Sequence, residues 1–252
     1  MLKQWFNEVQ LNLKMQLRVP ISVFFSLIFP LLMMCLILLS FKNVAIGQGY
    51  HFIDCYLPIG IGIGIGLIPL TVVSFPMDLG SSLEKHVFKQ LKYLNVDLNR
   101  YLTAKITAYL VLSLASILID LCFATLFFHA HWPHFSYFLS FIAEFEYCVV
   151  VNLILGALLA LSIQNTKILL PIGMIFTFTF FALSGTFVQY NQLAPSIQRI
   201  GQYLPWKYVM NNGFQIWNMT QYWNSTFLKL NTVWLFVLGL LLSLLGYHRF
   251  KK

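Results

Sequence analysis

Six runs of about twenty apolar residues each, near 20–41, 55–76, 103–128, 136–162, 168–188 and 230–247, leave this 252-residue chain little sequence for anything but a membrane bundle. A helix of that length crosses the hydrocarbon because it satisfies its own backbone N–H and C=O groups where no water can. Only 10% of the residues are charged, against about a quarter in soluble domains, so an ordinary soluble domain is excluded. The expected fold class is all-α integral membrane, a single transmembrane domain over 1–252 with six transmembrane helices.

The remaining lysines and arginines predict the orientation. With the N-terminus inside, Lys3, Lys14, Arg18, Lys85, Lys89, Lys92, Arg100, Lys105, Lys167, Arg249, Lys251 and Lys252 fall on the cytoplasmic side. Only Lys42, Arg199, Lys207 and Lys229 fall outside. That bias places both termini in the cytoplasm. The net charge of +8 is then a topology signal and a fit to anionic lipid headgroups, so membrane lipids are expected partners. Nucleic acid is not, because the charges are scattered over separate loops.

Residues 1–18 read as an interfacial helix. Leu2, Trp5, Phe6, Val9, Leu13 and Leu17 share one side, with Lys3, Asn7, Lys14 and Arg18 toward the other. Pro20 ends it, and Pro30 should kink the first span. About 18 amphipathic residues precede that span and no small-residue cleavage site follows, so a removable signal peptide is not expected. In the second span PIGIGIGIG alternates like a strand, yet it lies in a run long enough to cross as a helix. There Gly60 and Gly64 share one face and Gly62 and Gly66 the opposite one, giving two seams for close-packed neighbours.

Asp120, Glu144 and Glu146 lie within apolar runs, in the outer half of the membrane in this topology. Such charges are costly in hydrocarbon and mark either a substrate path or gate, or structural hydrogen bonding; Glu144 and Glu146, two apart, cannot share a helix face. His129, His131 and His134 bunch in an outer loop without an accompanying Cys or Asp, so a plain interfacial loop is expected and no metal site. Cys35, Cys55, Cys122 and Cys148 have no paired spacing and read as packing residues. Asn218 and Asn224 match the glycosylation pattern, a weak three-residue signal.

Residues 81–100 form a basic amphipathic segment between the second and third apolar runs. Ser81 and Glu84 read as a capping box opening a short helix, and Leu83, Val87, Leu91 and Leu94 recur on one face, with Lys85, Lys89 and Lys92 on the other. An exposed apolar stripe beside a membrane needs a cover, and a partner protein is the expected one. Residues 189–228 are half-apolar and rich in aromatics, which suggests short helices dipping into the outer interface and returning before the last span.

Two segments together resemble the permease subunits of ATP-binding-cassette exporters of the second type. Glu84 to Lys105 is similar to that family's acidic residue, basic-apolar helix and returning lysine between spans two and three. Leu183, Ser184, Gly185, Thr186 and Phe187, followed by Leu204, Pro205 and Tyr208, resemble its re-entrant hairpin. The six-span layout and the interfacial helix fit as well. His86 and Val87 stand where the family usually has Gly, and Leu94, Asn95 and Val96 where it often has Pro.

The resemblance implies a cytoplasmic coupling helix with Glu84, Val87, Phe88, Lys89, Leu91 and Lys92 as the ATPase-coupling residues, and an extracellular re-entrant hairpin carried by Leu183, Ser184, Gly185, Pro205 and Tyr208. Its implied partners are two cytoplasmic ATPase subunits and a second permease chain, in a homodimer or heterodimer in a bacterial plasma membrane. No Gly-rich phosphate loop ending in Lys-Ser/Thr occurs, so no cofactor is expected on this chain, and ATP and Mg belong to the partner ATPase. No catalytic residue is expected: HExxH, paired aspartates and a Ser/His pair at common depth are missing from the spans. Short outer loops suit a hydrophobic or amphipathic cargo such as an antimicrobial or signalling peptide, a drug or a lipid. Polysaccharide export is the alternative within the family, and an ion-coupled carrier using Asp120 and Glu144 the alternative outside it.

Overall fold

A computed structural model of the protein describes residues 2–18, 23–41, 45–47, 50–51, 57–94, 96–128, 132–186, 190 and 193–250. These are almost wholly helical, apart from a short antiparallel ribbon in which β1 (Ala45–Gly47) pairs with β2 (Tyr50–His51). Among the described residues five helices are long and apolar enough to cross a membrane: Gly62–Glu84, Arg100–Phe127, Phe135–Ile163, Thr166–Ser184 and Ser225–Leu245. The first expected span begins outside the described residues. Its described part is a π turn, Phe24–Ile28, running into α2 (Phe29–Phe41). Pro30 explains the π turn: it has no N–H and its ring crowds the carbonyl four residues back, so the backbone widens and Phe29 donates to Phe24 instead.

The second span repeats this device. α3 (Leu57–Pro69) opens into a π turn, Leu70–Ser74, and continues as α4 (Phe75–Glu84). Phe75 donates to the Leu70 carbonyl. Pro76 withholds the donor that would reach the Thr71 carbonyl in a π turn or the Val72 carbonyl in an α turn. Two glycines cover those carbonyls: a Cβ on Gly156 would stand 2.5 Å from the Thr71 oxygen, and one on Gly173 2.6 Å from the Val72 oxygen. The PIGIGIGIG run is helix, as expected. Its seams also face two neighbours, since a Cβ on Gly62 would meet Met34 of α2, and one on Gly64 would meet Met210.

The second span extends beyond the expected residue 76 to Glu84, so Ser81 to Glu84 finish this helix and do not open the next. The capping box is therefore absent. The chain breaks at Lys85 and His86, and α5 (Val87–Tyr93) follows. His86 adopts φ 53°, the left-handed conformation that glycine enters at least cost. The histidine thus performs the turn at the place where a glycine was the expected residue. Exchanging His86 for Gly is expected to raise the thermal midpoint or leave it level, and His86→Val to lower it by about 1–2 kcal/mol of stability.

α6 (Leu98–Phe128) returns through the bundle, and α7 (Phe135–Ile163) runs back through its centre, burying Phe141, Phe145, Cys148, Val149 and Leu153. Gln164 in the left-handed region ends α7; Asn165 then caps α8 (Thr166–Ser184) by accepting the Lys167 N–H at 3.0 Å. Gly185, at φ 81°, ends α8. Two short helices follow, α9 (Pro195–Gly201) and α10 (Pro205–Trp217), before α11 (Ser225–Phe250).

α11 lies parallel to α7, because Asn231 and Thr232 bond Tyr147 while Leu238 packs on Val151 and Leu158. The end of α11 therefore lies at the same end of the bundle as the α7–α8 turn. α1 (Leu2–Leu17) lies at that end too, packing Trp5, Val9 and Leu13 on Ala104 and Ala108 of α6. Phe6 and Leu17, expected on the same apolar side as Val9, remain 64% and 53% exposed.

Candidate functional site

The α4–α5 corner is held from below. Glu84, although exposed, accepts the Thr166 N–H at 2.7 Å and the Thr166 hydroxyl at 3.0 Å. Its carboxylate thus satisfies one of the orphan donors at the start of α8, where the helix dipole favours negative charge. The corner is held from the side by Phe88, which is buried and meets the Tyr101 ring edge-on at 5.9 Å. Val87 and Leu91 are half-buried, and Lys85 and Lys89 exposed. Lys92 is on α5, with its side chain outside the described residues.

Of the expected stripe of Leu83, Val87, Leu91 and Leu94, Leu83 belongs to α4, Val87 and Leu91 are half-buried on α5, and Leu94 lies past its end. What the corner presents outward is Tyr93, 87% exposed, and Leu94, 73% exposed. Helical spacing alone did not show that the chain turns at Lys85 and His86, which splits the stripe between two helices.

Next to the corner is a polar cluster of which only Lys105 stood out in the sequence, as one cytoplasmic charge among several. Lys105, buried within α6, sets its Nζ 3.0 Å from Oδ1 of Asp78 and donates to the Ser82 hydroxyl at 3.0 Å. Gln16 of α1 donates to the other oxygen of Asp78, and Tyr109 donates toward it at 3.4 Å. One turn outward, Arg100 holds Glu8 at 2.8 Å and Gln4 at 3.0 Å. The available signal was Asp78 and Lys105 at the inner ends of adjacent apolar runs, where opposite charges can pair.

Of the acids expected in the spans, Glu144 and Glu146 face opposite ways. Glu144 is buried and accepts the Asn224 N–H at 2.8 Å, at the start of α11. Glu146 accepts the Ser113 hydroxyl of α6 at 2.8 and 3.0 Å. Asp120 is buried, and neither of its oxygens has a hydrogen-bond partner among the described residues. Glu144→Leu is expected to cost about 1–3 kcal/mol, because it strands the Asn224 N–H, whereas Glu144→Gln retains an acceptor and should stay near wild type. Asp120→Leu, similar in shape and freed of an unpartnered carboxyl, should not lower the thermal midpoint. Melting curves of the three purified variants in one detergent check all of this.

Asn224 is itself committed: its Oδ1 accepts the N–H groups of Thr226 and Phe227 as the cap of α11. His129 and His131 lie outside the described residues, and His134 stands at the start of α7. Cys35, Cys122 and Cys148 are free thiols; Cys55 lies outside the described residues.

The hairpin residues come together. Buried Ser184 shares a 2.8 Å hydrogen bond with Thr186, whose hydroxyl reaches the Met210 sulfur at 3.6 Å. A Cβ on Gly201 would stand 2.4 Å from the Leu183 carbonyl, so α9 folds tightly over the end of α8. Pro205 starts α10, and with Trp206 it lines a small cavity beside Val151, Asn152 and Leu155, near the middle of α7. Trp217, at the other end of α10, packs on Phe141 toward the start of α7. α10 therefore runs antiparallel to α7 between its middle and its start. Tyr208 donates to the Gln202 carbonyl at 3.0 Å, and Lys207 lies over the Tyr190 and Tyr208 rings at 4.6 and 4.3 Å.

Residues 3–217, from α1 to the end of α10, match the protein family described as ABC-2 type transporter. No curated protein matches the chain. With that match over most of its length and its helices long enough to span a membrane, the chain belongs to the ABC-2 type transporter family, as a multi-pass permease subunit, not a catalytic unit, that works with ATP-binding subunits, generally as a dimer.

Proposed function

We propose that the protein is the permease of an exporter that moves a hydrophobic or amphipathic compound out of a bacterial cell, driven by two ATP-binding subunits docked on the α4–α5 corner. The observation that carries this reading is the continuous helix from Leu57 to Glu84. It crosses the bundle and ends in the corner that Glu84 clasps to Thr166, so a push on α5 acts on the end of a span. The end of the bundle that carries the corner also carries Lys3, Lys14, Arg18, Lys85, Lys89, Lys167 and Arg249, and it receives both α1 and the end of α11. That distribution supports a cytoplasmic placement for it and for both termini. Six spans and pairing with a second permease chain, identical or not, belong to the same proposal.

Glu144 and Glu146 act in this reading as seam residues between helices, and the cargo path runs between the two permease chains. The complex with its ATP-binding subunits in liposomes tests the proposal with three probes: a fluorescent cationic dye, a labelled amphipathic peptide and a fluorescent phospholipid. ATP should drive at least one probe away from the ATP-binding side. Transport driven by a proton gradient without ATP would favour the carrier reading, and ATP-driven movement toward the ATP-binding side would overturn export.

A further inference from the structure

Three helices of different origin meet at one half-buried carboxylate, which holds a buried lysine. Asp78 lies on α4, six residues before Glu84; its Oδ1 holds Lys105 of α6 at 3.0 Å and its Oδ2 accepts from Gln16 of α1. Ser82 and Tyr109 complete the cluster, with Tyr109 also donating to the Ser74 carbonyl at 3.3 Å, at the end of the π turn. Lys105 is 1% exposed, so its charge is compensated only by what lies around it. A pair with one partner buried is a poor source of stability, since an apolar pair of similar shape usually serves as well. Its distinctive property is that breaking it leaves the Lys105 ammonium where water does not reach, and so the partners separate reluctantly.

We propose that Asp78, Lys105 and Gln16 are positioning residues that form a joint, making α1, α4 and α6 move as one body when the ATP-binding subunits close. The joint acts where it matters mechanically, between the corner and the π turn of the second span. Without it, α1 rests on α6 through the partly exposed contacts of Arg100 with Glu8 and Gln4 and the packing of Trp5, Val9 and Leu13, none of which ties it to α4. The inference rests on α5 being the docking corner. A loss of ATP-binding subunits from α5 variants tests that corner, whereas the distances below test the joint, so the two can fail separately.

In the complex with its ATP-binding subunits, native cysteines replaced, spin labels are placed at the exposed residues Gln10 of α1 and Thr103 of α6. The wild-type distance should be one narrow distribution, the same without nucleotide and after trapping with ADP and vanadate. In Lys105→Met it should shift or split on trapping. The deciding variant is the double exchange Asp78→Leu with Lys105→Met, which leaves no buried charge and so tests the ion pair apart from simple folding. It should melt near wild type and still show the shift on trapping. A wild-type distance that changes on trapping, or a double variant as invariant as wild type, would overturn the joint. The wild-type measurement decides alone should neither variant fold.

Discussion

Exchanging Tyr93 and Leu94 together for aspartate should lower recovery of the ATP-binding subunits by at least about tenfold while the permease still folds and inserts. Both side chains stand out from the corner, with little contact to the bundle to lose. Large apolar anchors at the centre of an interface are each worth about 2 kcal/mol or more, and a carboxylate in their place adds a desolvation cost. Phe88→Ala should behave differently, since Phe88 is buried on Tyr101 and its loss loosens the corner itself. It should cost about 3 kcal/mol of stability first and binding only as a consequence. Pull-down of the purified permease with its ATP-binding subunits, beside a melting curve, separates the two.

The second large effect concerns the π turn of the second span. Gly156→Val and Gly173→Val should each destabilise the bundle by about 2–3 kcal/mol, because the added Cβ meets backbone carbonyls of Thr71 and Val72 that cannot move aside. Gly64→Ala, in the conspicuous glycine run, should cost less than about 1 kcal/mol. Its Cβ meets the far end of the Met210 side chain, a flexible thioether that can turn away. Thermal midpoints in a single detergent, with the three variants side by side, check the order. A Gly64→Ala variant less stable than Gly173→Val would mean that the run, not the π turn, is the critical seam.

Much of this architecture was legible because lipid imposes so strong a rule on composition. Five of the expected runs lie on helices long and apolar enough to cross a membrane; four of these helices keep within about five residues of their runs, and the second runs on to Glu84. The short helices between the last two long ones were legible from mixed polarity and aromatics, and the opposed faces of Glu144 and Glu146 from their spacing alone. Interactions across long stretches of chain were not. Glu84 finds its partner 82 residues away, at the start of α8, so the local pattern with Ser81 misled. Asp78 drew no attention in the sequence and Lys105 read as a cytoplasmic charge, because pairing across two helices leaves no periodic trace. His86 looked like a departure from a glycine position, yet the backbone there is the one a glycine would take. Phe88 was expected among the ATPase-coupling residues, and only the position of Tyr101 shows that it faces inward.

A photo-crosslinking residue placed at Tyr93, in membranes containing the assembled complex, tests the central claim most directly. Illumination should join the permease to a protein that binds and hydrolyses ATP, and the same residue at Ser196 of α9, at the opposite end, should give no such product. A crosslink to the ATP-binding subunit from Ser196, or its absence from Tyr93 in a complex that still copurifies intact, would contradict the account.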